Sequence, residues 1–193
     1  MTVTTILPRE REIELATSAA PADIGAHATV YVYTSKGYEK ARDGTNGFTC
    51  LVNRDSELDG YHMFKPTCWD AHGSATIVPA ILEFAKMIAS GQTVADVTSA
   101  LRQQLKDGTL KPFEKVGIAY MLQGDVSHYD AATGTILQRA FPPHVMIYAP
   151  TISWSDLAMS GRAANADERA AIIYQSALGY RYLVVRVPRT DVR

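Results

Sequence analysis

The sequence predicts a single α+β domain, residues 1–193, built on a mainly antiparallel sheet of about six strands with a helix pair inserted mid-chain. Segments with alternating, β-branched and aromatic residues cluster in 28–54 and again in 116–149. Two segments with the apolar spacing of helices lie between those clusters. The 193 residues, 47% hydrophobic and 20% charged, are enough to bury a core. Blocks of strands and helices favour α+β over an alternating parallel sheet.

The first predicted element is a helix from Pro8 to about Ala20, ended by Pro21. Proline suits the first turn, and acidic side chains near the positive N-terminal end stabilise a helix. The apolar stripe is thin, so we expect this helix to pack weakly and on one side only. The stripe consists of Ile13, Ala16 and Ala20.

Three strands are predicted next, over Ala28–Thr34, Tyr38–Arg42 and Phe48–Arg54. The turn signals between the second and third strand include Asn46-Gly47. Such short connections favour an antiparallel meander. Asp55–Gly73 has no period and is predicted to be irregular.

The helix pair follows. Thr76 is predicted to cap a helix that runs to about Ser90. Thr93 with Asp96 resembles a capping box for a second helix, and Gly108 suits its left-handed C-terminal position.

The last part of the chain predicts further strands over Val116–Gln123, Thr135–Arg139, Val145–Ala149 and Tyr182–Val187. Residues 151–176 are predicted to contain one helix and a polar segment around 161–167.

Composition and charge limit the classes of partner that the protein can have. The formal net charge is -1, with 19 basic and 20 acidic side chains spread along the chain, so no nucleic-acid partner is predicted. No apolar run approaches the roughly 20 residues of a membrane helix, so no membrane insertion is predicted. No glycine motif for phosphates and no haem motif occurs, so no cofactor is assigned. Nothing indicates an oligomeric state.

His144 is the first candidate for chemistry. It should share a strand face with Met146 and Tyr148. A concave small-ligand pocket results if three more tyrosines lie on the same sheet face. These are Tyr31, Tyr33 and Tyr120. The structural alternative is a covered face in which His144 is hydrogen-bonded to a backbone carbonyl.

The second candidate is the segment from Cys68 to His72, in which Asp70 could orient His72. A zinc site needs at least three protein ligands, and no paired motif supplies them, so no metal site is assigned. The loop carboxylates, among them Asp55, are a weaker candidate for acid/base chemistry. Cys50 is disfavoured as a nucleophile because its strand neighbours predict apolar burial.

The two cysteines leave the compartment open. In an exported protein, Cys50 and Cys68 can pair only with each other within the chain. In the cytosol both should be reduced, with at least one buried. Residues 1–8 lack a signal-peptide pattern, which fits either a cytoplasmic protein or a trimmed form of an exported one.

Residues 45–52 (TNGFTCLV) and 143–150 (PHVMIYAP) resemble segments of a family of small exported bacterial proteins with no assigned activity. The resemblance covers most of 10–150 and implies a periplasmic or secreted protein, and so a Cys50–Cys68 disulfide. It implies no site residues.

Two functional hypotheses follow from different classes. One is an exported small-molecule-binding domain with an aromatic pocket centred on His144. The other is a small hydrolase or lyase using His144 as general acid/base with His72 and Asp70, metal-assisted or not. A pocketless interaction protein is the third possibility.

Overall fold

A computed structural model describes residues 5–55, 63–157 and 171–188. The α+β class is confirmed, because these ranges contain four helices and ten strands. The helices are α1 (Arg9–Thr17), α2 (Ala22–His27), α3 (Ala71–Ala89) and α4 (Val94–Lys106). The strands are β1 (Thr29–Thr34), β2 (Gly37–Arg42), β3 (Thr49–Asn53), β4 (Lys65–Trp69), β5 (Ile118–Met121), β6 (Asp125–Asp130), β7 (Thr135–Phe141), β8 (His144–Tyr148), β9 (Ala171–Gln175) and β10 (Arg181–Arg186).

Eight strands form one mixed sheet in the order β2-β1-β3-β4-β5-β8-β10-β9, and β6 and β7 form a separate two-stranded sheet. Within the described sheet only β1 and β3 pair in parallel. The expectation of about six mainly antiparallel strands is therefore only partly right. The helix pair α3–α4 does lie mid-chain, between β4 and β5.

The predicted three-stranded meander is wrong. After β2 the chain returns past the start of β1, where Thr45 N–H donates to His27 O at 2.8 Å and Thr29 N–H to Phe48 O at 2.8 Å. Gly44 permits this crossing, since a Cβ there would overlap the backbone of Thr29. Strand β3 therefore starts at the same end as β1 and runs parallel to it.

Strand β4 lies inside the segment predicted to be irregular. The sequence does not predict this strand, because a proline such as Pro66 is disfavoured in a central strand. Pro66 is tolerated because β5 pairs only with Cys68 and Trp69 of β4. No hydrogen bond from a backbone N–H at position 66 to β5 is needed. The rest of the predicted loop, 56–62, lies outside the described residues.

Helix α3 begins five residues before the predicted cap Thr76. Asp70 caps it, accepting a hydrogen bond from Gly73 N–H at 2.8 Å. Gly73, at the end of the segment predicted to be irregular, lies inside this helix. Glycine is required there by packing, because a Cβ would meet Tyr148 and Trp69. Helix α4 starts as predicted, with Thr93 accepting from Asp96 N–H at 3.2 Å.

Besides β4, three described elements were not predicted, namely α2, β6 and β9. Of the region 151–176, the structure describes a short 3-10 helix at Trp154–Leu157 and strand β9. The polar segment predicted around 161–167 lies outside the described residues.

The two faces of the large sheet carry different cores. Helix α3 packs over β2, β3 and β4 on one face, and α1 packs over β1, β3 and β4 on the other. On the α1 face, Cys50 and Cys68 oppose each other across β3 and β4 and form a disulfide. Their Cα atoms are 4.0 Å apart and both residues are fully buried.

Helix α1 is held by a buried ion pair that the sequence did not indicate. Glu12 accepts hydrogen bonds of 2.7 and 2.8 Å from the guanidinium of Arg54 and one of 3.0 Å from Tyr33 N–H. The guanidinium carbon lies 4.6 Å from the ring centroid of Tyr33 and 5.1 Å from that of Phe64. Glu12 is thus a core residue and not one of the solvated acids of the first turn.

Removing the disulfide tests its contribution to the fold. The double variant Cys50→Ala/Cys68→Ala should lose about 3 kcal/mol of unfolding free energy, because the cross-link constrains the unfolded chain. Urea unfolding measures this loss. Reductant should leave the native wild type oxidised, since both sulfurs are buried. Equal stability of variant and wild type would contradict the role given to the bond.

Glu12→Gln tests the buried pair. It leaves the Arg54 charge without its partner and should cost about 3 kcal/mol in urea unfolding. The matched control is Glu10→Gln, two residues earlier on the exposed side of the same helix. Similar small losses in the two variants would show that the pair does not anchor α1.

Candidate ligand-binding cavity

A cavity of about 280 Å³ lies between α3 and the face of the sheet formed by β4, β5, β8, β10 and β9. Its walls are mainly apolar and aromatic. From α3 they include Ile77, Ala80, Ile81 and Phe84, and from the sheet Trp69, Met121, Met146, Tyr174, Tyr182 and Val184. The loop between β9 and β10 closes one side with Leu178 and Tyr180.

One end of the cavity is polar, and we call it the polar end. It is lined by Asn53, Asp55, Lys65, Asp125 and His144. Strands β3 and β4 place the first three together, because Asn53 pairs with Lys65 across the ladder and Asp55 follows two residues later. Lys65 Nζ lies 3.2 Å from Asp55 Oδ1.

The ammonium of Lys65 is stabilised in this position. Burial lowers its pKa, but electrostatic interactions with Asp55, Tyr174 and Asp125 outweigh burial and raise the pKa above its ordinary value. Lys65 is therefore a fixed cation.

Asp125 has the opposite balance. Burial raises its pKa to about 6, the Lys65 charge lowers it and the Asp55 charge raises it. No group in the described ranges donates a hydrogen bond to its carboxylate. The carboxylate of Asp125 is thus available to a ligand.

His144 is 3% exposed and is neutral near pH 7. Burial lowers its pKa to about 4, the Pro142 hydrogen bond opposes this, and the Lys65 and Arg186 charges add to it. Its Nδ1 lies 2.8 Å from the carbonyl oxygen of Pro142. Because that oxygen can only accept, Nδ1 carries the proton and Nε2 carries a lone pair.

Away from the polar end, two cavity-lining residues carry buried polar atoms that have no hydrogen-bond partner in the described part of the chain. They are Nε1 of Trp69, a residue 2% exposed, and the hydroxyl of Tyr180, 6% exposed. Such groups are uncommon in native folds and are often satisfied by water or ligand.

The four tyrosines predicted to form the pocket lie elsewhere; none is among the described lining residues. Tyr148 is fully buried, and its hydroxyl contacts Ile118 O at 2.9 Å and Asp70 Oδ1 at 3.2 Å. Tyr120 is on the opposite face of the sheet, stacked on Phe48 at 6.1 Å between centroids. On β1, Tyr33 lies beneath Arg54, and Tyr31 is half-buried.

Asp70 and His72 are not brought near His144. Asp70 accepts from Gly73 N–H and from Ile118 N–H at 2.9 Å, and it contacts Tyr148, so its role here is structural. The His72 ring lies 6.3 Å from the Tyr148 ring. Tyr148 is four residues along β8 from His144, which is about 13 Å of strand.

No three His, Cys, Asp or Glu side chains in the described ranges are placed to hold a metal ion. Lys65 and Asp125 were missed by the sequence reasoning, because neither lies in a motif. Asp55 was noticed only as one of several loop carboxylates.

Comparison with known proteins adds no relative, since no family model, curated protein or solved structure matches the chain. Within the described residues, none of the helices has the length and apolar character needed to cross a membrane.

His144→Asn tests the burial of the neutral imidazole. The unfolded wild type binds a proton at this position between pH 6.5 and about 4 while the folded one does not, so wild-type stability should fall with pH across this window. Relative to the variant, the wild type should lose about 2 kcal/mol on going from pH 7.5 to 4.5. Urea unfolding at both pH values measures this difference.

Asp125 contributes with the opposite sign. Its raised pKa means that stability is lost as pH rises through about 6, but both proteins share this contribution and it cancels in the comparison. The control is His128→Asn, at an exposed histidine. An unchanged pH dependence in His144→Asn would contradict the burial of a neutral ring.

Proposed function

We propose that the chain is an exported small-molecule-binding protein whose ligand occupies the cavity between α3 and the large sheet. The observation that carries the proposal is the cavity itself, about 280 Å³ with apolar walls and polar groups gathered at one end. A dry apolar cavity of about 150 Å³ holds benzene. This one suits a ligand of about a dozen non-hydrogen atoms.

The lining supports a binding role. Ligand sites are mostly apolar with a few polar groups that fix orientation. Six aromatic residues line this site among the described residues, in place of the four tyrosines first considered: Trp69, Phe84, Phe141, Tyr174, Tyr180 and Tyr182. His144 lies at the polar end and not at the centre.

Export is supported by two observations. The Cys50–Cys68 disulfide is compatible with an extracellular protein. The resemblance of residues 45–52 and 143–150 to an exported family points the same way. Labelling of the natural protein under denaturing conditions without reductant should find no free thiol; two free thiols would contradict export.

A cavity-filling variant tests binding. The probe is 4-phenylbutanol, a neutral molecule of suitable size. At about 100 times its Kd it should stabilise the wild type by about 2.7 kcal/mol. That corresponds to a rise in Tm of about 5–10 °C. In Ile81→Trp the indole fills the cavity, and we expect the rise to vanish.

The matched control is Leu82→Trp, the next residue of α3, which is not among the lining residues. It should keep the full ligand response. Both variants are first checked for cooperative melting without ligand. If Ile81→Trp does not melt cooperatively, Met146→Trp fills the same space from β8. An equal response in filled and control variants would contradict binding in this cavity.

The second candidate function is a hydrolase or lyase, favoured by one observation: His144 and Asp125 line the same cavity with pKa values of about 4 and about 6. Neutral His144 could act as a base and protonated Asp125 as an acid near pH 5. His72 and Asp70 take no part in this version.

Hydrolysis of phenyl acetate tests it. The wild type should give a bell-shaped pH profile between about 4 and 6, and His144→Asn should lower kcat/KM by about a hundredfold or more. His128→Asn is the control. Absence of turnover with intact 4-phenylbutanol binding would leave the binding function alone.

A further inference from the structure

We infer that the ligand is a small amphiphilic cation, with an ammonium-like group between Asp55 and Asp125 and an aromatic or hydrocarbon body along the apolar walls. This inference rests on the proposed binding function and names its ligand class. Three observations carry it: the charge of the polar end, its excess of acceptors and the aromatic walls.

The charge of the polar end is unbalanced. Among the described lining residues, two carboxylates, Asp55 and Asp125, face one ammonium, that of Lys65, which already lies 3.2 Å from Asp55; the charge of Arg186 acts on His144 but is not among those that act on Asp125. His144 adds no charge because its ring is neutral near pH 7. A buried site with uncompensated negative charge gains from a cation, since interactions between charges strengthen away from water.

Hydrogen-bonding capacity is unbalanced in the same direction. At the polar end Asp55, Asp125 and the lone pair of His144 Nε2 are acceptors, while Lys65 is the charged donor and the amide of Asn53 a neutral one. An ammonium brings three donors and no acceptor. A ligand carboxylate would instead compete with Asp55 for Lys65 and face Asp125.

The walls suit the rest of such a ligand. Aromatic faces attract cations as well as apolar groups. Trp69 Nε1 and the Tyr180 hydroxyl, both buried, have no partner within the described residues. The Tyr180 hydroxyl can accept a hydrogen bond from a ligand ammonium, whereas Trp69 Nε1 can only donate and is not satisfied by one.

The experiment uses three probes with one tail, namely 4-phenylbutylamine, 4-phenylbutanol and 4-phenylbutanoate, titrated into the wild type by calorimetry. The amine should bind about tenfold tighter than the alcohol or better, and the alcohol tighter than the carboxylate. In Asp125→Asn the preference for the amine should fall to about threefold or less. Asp43→Asn, at an exposed aspartate, should keep it.

Titrations at two pH values test the contribution of the Asp125 carboxylate. The lining groups at this end are Asp55, Lys65, Asp125 and His144, with Tyr174 acting on Lys65 and the charge of Arg186 acting on His144; the pKa of Asp125, about 6, lies between pH 7.5 and 5. Amine affinity should fall about tenfold across that range while alcohol affinity stays within about twofold.

The outcomes separate the two proposals. Alcohol binding that Ile81→Trp abolishes, without an amine preference or with tightest binding of the carboxylate, overturns the cationic ligand and keeps the binding function. An amine preference that survives Asp125→Asn also overturns it. If none of the three probes binds the wild type, both proposals are wrong.

Discussion

The twist of the large sheet is the constraint on which the cavity depends. Neighbouring strands rotate by roughly 20–25°, so a helix can follow only a few strands of a wide sheet. Helix α3 follows β2, β3 and β4. Strands β8, β10 and β9 lie farther along the sheet, and the side chains of Ile77, Ile81 and Phe84 border the space between α3 and these strands without filling it. A narrower sheet covered by the same helix would have a closed core. Among the described residues, α3 packs on only part of this face of the eight-stranded sheet, and the opening follows from that difference in width.

The polar end follows from strand register. The Cys50–Cys68 disulfide joins β3 to β4 at a directly opposed pair, and the same ladder aligns Asn53 with Lys65. This register places Asp55 next to Lys65. Asp125 comes from the separate β6–β7 hairpin, whose strand β6 contacts the segment before β4 through Phe64 and Val126. Buried charge lies next to an apolar cavity at a cost in stability, and the charged ligand group that we propose would offset that cost.

Local sequence patterns predicted the α+β class, the capped start of α4 and the shared face of His144 and Met146. Each of these depends on neighbours within a few residues. Strand β4 was missed because Pro66 and burial on both faces remove its alternation. The face of Tyr120 depends on long-range register: Met121 pairs with His144, so Tyr120 points to the other side. The grouping of Asp55, Lys65 and Asp125 is equally non-local, and no spacing in the chain predicts it. Of His144 and the four tyrosines predicted to form a pocket, His144 alone is among the described residues that line the cavity.

The native methionines allow the central claim, that the space between α3 and the sheet takes a small ligand, to be measured directly. Met121 and Met146 line the cavity, whereas Met87 packs on the α4 side of α3. In a carbon–proton NMR spectrum of methionine methyl groups, titration with 4-phenylbutanol should shift the signals of Met121 and Met146 and leave that of Met87 unchanged. Shifts confined to Met87, or no shift of Met121 and Met146 at saturating ligand, would contradict the account.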